Sequence, residues 1–181
     1  MNKKITIVSL GTSRKENPYQ PSYLYTSPAG LHYINVILRK QGFETTIVNQ
    51  VTDNLTLEEI PGLILKANPD IVLFNQFHTT REKIKTVIQA LPKTYIFGIG
   101  GHDATFHALG LIDSFSNPVN TAFHGHPIVL NPESPDLGRY YKNTDFIWLG
   151  EAENGIADFL KSIRKQKSPL LAYNLHNRTR D

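Results

Sequence analysis

Cysteine is absent from all 181 residues, which excludes disulfides, thiolate zinc sites, cysteine nucleophiles and Cys-held iron–sulfur clusters as chemistry originating in this chain. Charge of one sign is also scarce. Nineteen Lys and Arg against sixteen Asp and Glu leave +3, too little to imply a polyanionic partner. The basic residues are scattered in short groups such as Lys3-Lys4, Arg14-Lys15 and Arg39-Lys40, which reads as solvated helix ends, so no nucleic-acid partner is expected. No apolar run reaches the roughly eighteen residues of a membrane span, and Met1 to Lys4 lead into a short apolar strand rather than a signal sequence. A cytoplasmic protein with no membrane partner is expected. Gly11-Thr12-Ser13-Arg14-Lys15 lacks the later glycines of a dinucleotide fingerprint, and the chain has neither a phosphate-binding Lys-Ser/Thr loop nor a G-x-S-x-G elbow.

What is present alternates. Ile5 to Leu10, Glu44 to Asn49, Ile71 to Phe74, Tyr95 to Ile99 and Phe146 to Leu149 read as five strands, mostly continuous in apolar residues as buried parallel strands are. Between them lie helical stripes: Leu31, Ile34 and Leu38 after Ser27-Pro28; Leu57, Ile60 and Ile64 after Thr56; Ile84, Val87, Ile88 and Leu91 after Thr79. Ile156, Phe159, Leu160 and Ile163 form a last helix. Five strand-to-helix alternations with right-handed crossovers predict an open, doubly wound α/β fold of flavodoxin or Rossmann type, with a five-stranded parallel sheet covered by helices on both faces. The expected domain spans 1–167, with an irregular insertion over 106–144 holding a short helix or hairpin, or forming a lid, and 168–181 reads as a linker-like tail.

Such sheets bind ligands beyond the carboxyl ends of their strands. The residues expected there are Ser9, Gly11 and Thr12 after the first strand, Asn75, Gln76 and Phe77 after the third, Gly100, Gly101, His102, Ala104 and Thr105 after the fourth, and Gly150, Glu151 and Glu153 after the fifth. Most are small or polar, which lets a large ligand approach the backbone, although tight turns use the same residues. His124-Gly125-His126 lacks a third ligand at fixed spacing, so no metal site is assigned to it. No catalytic residue is assigned.

Ser27-Pro28-Ala29-Gly30-Leu31, then Leu38-Arg39-Lys40-Gln41-Gly42-Phe43-Glu44, then Gly100-Gly101 with Ala104-Thr105, then Gly150-Glu151-Ala152-Glu153, occur in order along nearly the whole chain. In this the chain resembles the N-terminal cobalamin (B12)-binding domain of B12-dependent radical SAM enzymes. The family's P-x-G-L, L-R-x-x-G-x-E, G-G-P-H-A-T and G-E-x-E segments fall on the same elements, and Leu171 to Asn174 is similar to the segment leading to the family's catalytic barrel. Departures accompany the match. The fourth turn reads Gly-Gly-His-Asp-Ala-Thr, Asn75 stands where the family often has Ser, the 106–144 region is long, and the C-x-x-x-C-x-x-C motif is missing. The D-x-H-x-x-G motif of the other main cobalamin class has no counterpart in the first loop, which contains no His.

The resemblance implies a cobalamin held base-off, its nucleotide tail displaced and no protein His as lower ligand, in a module serving a radical SAM partner or missing domain. By itself the chain is expected to show no catalysis. It also implies that a bulky residue at Gly101 abolishes binding while leaving the fold intact. A flavodoxin-like protein-interaction module that has lost its cofactor, with Phe77, His78 and the long aromatic-bearing 106–144 loop on the partner surface, is the alternative.

Overall fold

The structure, a computed structural model, describes residues 3–19, 28–111, 125–129, 141, 143–153 and 155–163. The tail over 168–181, Ser27, His124 and much of the 106–144 insertion lie outside these residues. Within them the elements run β1 (Lys4–Ser9), α1 (Ala29–Lys40), β2 (Glu44–Asn49), α2 (Glu59–Ala67), β3 (Ile71–Asn75), α3 (Arg81–Gln89), β4 (Ile96–Gly100), α4 (His102–Leu111), β5 (His126–Val129), β6 (Phe146–Leu149) and α5 (Ile156–Ser162). None of the described helices is long and apolar enough to cross a membrane.

The sheet order is β2-β1-β3-β4-β6-β5. Strands β1, β2, β3, β4 and β6 are parallel, in the five-stranded α/β arrangement expected from the apolar runs. The insertion adds β5, antiparallel to β6, with Pro127 opposite Trp148. A proline cannot donate to a ladder, so it is tolerated at such an edge. Helix α4 reaches further than the glycine turn suggested, extending into the insertion to Leu111. Its first turn points Ala104 and, one turn later, Ala108 into the core, both fully buried.

The parallel strands contribute to two cores. Val8, Val72, Phe74, Phe97, Ile99, Ile147 and Leu149 meet the stripes of α2, α3 and α4. Ile5, Ile7, Ile71, Leu73, Ile96, Phe146 and Trp148 meet α1 and α5 on the opposite face. The alternation follows from the period of two along a strand, and both faces are covered because the crossovers pass on both sides. Lys3 secures the second face by donating from Nζ to the carbonyls of Leu160, Lys161 and Ile163, the last residues of α5 and its cap. Orphan carbonyls at a helix end favour a cation there.

Local stops and starts differ in detail from the sequence expectations. Thr56 does not cap by its hydroxyl; instead the Glu59 carboxylate accepts Thr56 N–H at 2.7 Å, and α2 begins at Glu59, which puts Pro61 in the first turn where its missing N–H costs nothing. Thr80, not Thr79, organises the start of α3: its Oγ1 accepts from Phe77 N–H at 2.9 Å and donates to the Phe77 carbonyl.

On the α1/α5 face β4 presents Gly98 and Gly100 in place of side chains. The Phe146 ring from β6 leans into the space above Gly98, so close that a Cβ there would lie 2.2 Å from its edge. Phe146 is itself stacked edge-on against Phe159 of α5, ring centres 4.9 Å apart. Gly98→Ala is therefore expected to destabilise the fold by about 1–3 kcal/mol through overpacking. Phe146→Leu in the same chain should recover part of that loss, giving a favourable coupling of about 1 kcal/mol in a urea-denaturation cycle; strictly additive effects would show that the ring does not fill this space.

Candidate functional site

A cavity of about 570 Å³ opens at the carboxyl edge and runs down the α1/α5 face of the sheet. Its floor is Ile7, Leu73, Gly98, Phe146 and Trp148, one residue or two from each of β1, β3, β4 and β6. Gly30, Leu31 and Ile34 of α1 wall one side, and Ala152 and Ile156 at the start of α5 wall the other. The cavity exists because β4 carries no side chain at Gly98 and Gly100. A Cβ on Gly100 would meet nothing closer than Trp148 Cβ at 3.5 Å, so the room above it is free. Apolar walls with a few polar groups at one end, in this size range, are what small-molecule sites look like.

The polar end is built by three turns. After β3 comes Asn75; after β4 come Gly101, His102 and Thr105; after β6 come Gly150, Glu151 and Glu153. Thr105 joins two of them, its Oγ1 donating to the Gly101 carbonyl at 3.1 Å and accepting from Gly150 N–H at 2.9 Å. Trp148 fixes the turn after β6 a second time, donating from Nε1 to the Glu151 carbonyl at 3.1 Å. Its indole lies against Gly125 and Gly155, where any side chain would crowd the ring. Glu151 is hydrogen-bonded and electrostatically coupled to Glu153, which raises its pKa above the ordinary glutamate value against the opposing pull of His102. Two carboxyls brought this close disfavour the second ionisation, which is the cause of the rise.

Of the residues expected at this edge, Asn75, Gly100, Gly101, His102, Thr105, Gly150, Glu151 and Glu153 line the cavity. Ser9, Gly11, Thr12, Gln76, Phe77 and Ala104 do not. Ser9 and Ala104 are buried in the fold. Gly11 is engaged from both sides, its N–H donating to Gln50 Oε1 at 3.0 Å and its carbonyl accepting from Lys83 Nζ. Glu16 completes that lock, accepting from Gln50 Nε2 at 2.8 Å, Leu57 N–H at 3.1 Å and Lys83 Nζ at 2.9 Å. The first loop is thus tied to α2 and α3. Residues that the sequence reading left out of the site, above all Gly98, Trp148 and the α1 side chains, form its floor and wall. Gly98 and Gly100, two apart in one strand, were the available signal.

Gly101 has a role of its own. Its φ is +107°, and a Cβ would lie 2.4 Å from Asn75 Oδ1 and 3.0 Å from the Gln76 carbonyl. A bulky residue there strains the turn itself, so Gly101→Leu does not separate ligand binding from folding, contrary to the sequence expectation. Gly100 is the position that does.

Behind the cavity, Gln76 belongs to a second cluster. Asp103 accepts two hydrogen bonds from Arg81, Nε to Oδ2 and Nη2 to Oδ1, both at 2.8 Å, and a third from Gln76 Nε2 at 2.7 Å. These bonds, Arg81 foremost, hold the Asp103 carboxyl below the usual aspartate range. Tyr141, from the insertion, packs here with its hydroxyl pKa pushed up by burial and pulled back by Gln76 and Arg81. The cluster clamps the start of α3 to the start of α4 and so sets the position of Gly101 and His102. Among the described residues no group of three or more His, Asp or Glu is placed to hold a metal.

The order β2-β1-β3-β4-β6 with helices on both faces is the doubly wound, flavodoxin-like arrangement, here with an antiparallel strand added at one edge. Among solved structures, the chain is similar to the cobalamin-dependent S-adenosylmethionine radical enzyme OxsB. With aqua-cobalamin and S-adenosylmethionine bound, OxsB matches at a TM-score of 0.58 and 15% identity, over 88% of this chain and 18% of that chain. The aqua-cobalamin form gives 0.56 and 14%, and the apo, selenomethionine-labelled form 0.53 and 18%, with the same coverage. The chain thus shares its fold with a part of OxsB less than one fifth of that enzyme's length. No protein-family model matches the sequence, and no curated protein does.

Asp103→Asn removes the charge that Arg81 and Gln76 enclose and is expected to cost about 2 kcal/mol at pH 7 by urea denaturation. Because the folded-state pKa lies below the ordinary value, the stabilisation is present above that ordinary value and is lost as pH falls through the folded one. The gap between wild type and variant should therefore narrow below about pH 4. A gap that persists unchanged at lower pH would assign the loss to something other than the ionised carboxylate.

Proposed function

We propose that the cavity takes a cobalamin held base-off, its nucleotide tail laid between α1 and α5 over Gly100 and beside the Phe146 ring, and its corrin against the polar edge. The observation that carries this reading is the side-chain-free strip of β4 beneath a deep apolar slot at the carboxyl edge. A flat, largely apolar group fits that strip, and a Cβ at Gly100 would begin to fill it. Asn75, Thr105, His102, Glu151 and Glu153 stand where the amide-bearing rim of a corrin would meet them. The fold shared with OxsB, a cobalamin-dependent enzyme, supports the same reading, as do the G-G, A-T and G-E-x-E segments that line or border the slot. When bound, the cobalt supplies methyl-transfer or electron-transfer chemistry; the chain's residues orient the corrin and keep water from the slot.

In this reading the module serves a radical SAM partner or domain, because reductive cleavage of S-adenosylmethionine needs a thiolate-held cluster and the chain has no cysteine. The first loop, Gly11 to Tyr19, contains no His, in keeping with a tail displaced without a protein lower ligand from that loop. The alternative of an interaction module without cofactor draws on Phe77, 40% exposed beside the site. It leaves the slot without an occupant. A mononucleotide phosphate at the first loop, the other use of such a fold, meets the carboxylate of Glu16 and a Gly11 amide already bonded to Gln50.

Trp148 is the chain's single tryptophan and lies on the slot's floor, so hydroxocobalamin added to the purified protein is expected to quench its emission, after correction for corrin absorption, and to show a base-off visible spectrum. Gly100→Leu should weaken that binding by about a hundredfold or more while leaving far-UV circular dichroism unchanged, since its side chain enters the slot without a backbone clash. A tail-on spectrum, or equal binding by the folded variant, would remove the slot from the cofactor's path.

A further inference from the structure

The floor of the slot is apolar, but its rim is acidic and carries no Lys or Arg among the described residues. Glu151 and Glu153 both line it. His102, at the start of α4, is the other titratable group facing the pair. Behind the rim, the Arg81 guanidinium is bound in two hydrogen bonds to Asp103.

The pair is held in place. Trp148 Nε1 fixes the Glu151 carbonyl, and Gly125 packs so tightly on that carbonyl that no side chain could sit there. The Glu151 carboxyl lies within hydrogen-bonding reach of Glu153, whose proximity raises the Glu151 pKa. Glu153 Oε2 is buried with no hydrogen-bond partner. A buried acceptor without a donor carries a desolvation cost that a ligand N–H would relieve.

Resting on the cobalamin reading above, we propose that Glu151 and Glu153 are specificity-determining residues which select a corrin bearing neutral amide side chains at the rim and reject one bearing a carboxylate there. A primary amide offers N–H donors to the partnerless Glu153 oxygen. A carboxylate offers none, and brings a second negative charge to a rim with no Lys or Arg to receive it. Juxtaposed like charges across an interface are a strong basis for discrimination.

The test uses hydroxocobalamin and the separated monocarboxylates obtained when mild acid hydrolyses single corrin amides, each titrated against the full chain by Trp148 quenching at pH 7. Wild type is expected to bind hydroxocobalamin about tenfold or more tightly than at least one monocarboxylate isomer. In Glu153→Gln and in Glu151→Gln/Glu153→Gln that ratio should fall towards one, because an amide at the rim tolerates either ligand. Equal binding of every isomer by wild type overturns the proposal, as does an unchanged ratio in Glu153→Gln. Failure of wild type to bind hydroxocobalamin at all is a different result, which overturns the cobalamin reading and this proposal with it.

Discussion

Two missing side chains in one strand govern the functional half of this protein. A parallel sheet buried on both faces normally fills the layer under its helices with branched side chains, as β1 and β3 do here with Ile5, Ile7, Ile71 and Leu73. At Gly98 and Gly100 the layer is interrupted. Phe146 closes half of the interruption by leaning over Gly98, and what remains above Gly100 is the slot. Every other feature of the site is a boundary around that space: α1 and the start of α5 as walls, Trp148 as floor, and three turns as its polar end.

The carboxyl edge is divided into a locked part and an open part. The loop after β1 spends its polar groups internally: Gln50 is fully buried and bonds both Gly11 and Glu16, while Lys83 reaches across from α3 to the same two residues. The turns after β3, β4 and β6 hold one another by backbone and threonine contacts, leaving Asn75, His102, Glu151 and Glu153 facing the cavity. Arg81 and Asp103 stand behind this open part as its support, with a carboxylate satisfied by three hydrogen bonds.

The five parallel strands were legible because uninterrupted apolar runs such as ITIVS, IVLF and FIWL have few other uses in a chain of this size. Helix α4 was not, because Ala104 and Ala108 make a small-residue contact that leaves no apolar stripe, and β5 is four residues long with a proline in it. The polar rim could be read from small residues after strand ends. The floor was not read, although Gly98 and Gly100, two apart in one strand, mark the face with the void above it. Ser9, Gly11 and Thr12, expected at this edge, lie outside the cavity lining, and a glycine turn at a strand end looks the same in sequence whether its amide awaits a ligand or already serves a distant glutamine. Gly101 shows the converse, a glycine that lines the cavity yet is required by its own positive φ and by Asn75.

The ammonium of Lys3 closes the last carbonyls of α5, joining the residue before the first strand to a helix more than 150 positions later. During synthesis the chain therefore carries β1, β3 and β4, with their exposed glycine strip, for some time before the second wall arrives. At ribosomal rates of about 5–20 residues per second, the roughly fifty residues between β4 and the start of α5 represent seconds in which this apolar face has only one helix over it. The locked first loop, which needs nothing beyond α3, is complete before that interval begins. The order of manufacture thus closes the contacts of the first loop before the second wall of the slot exists.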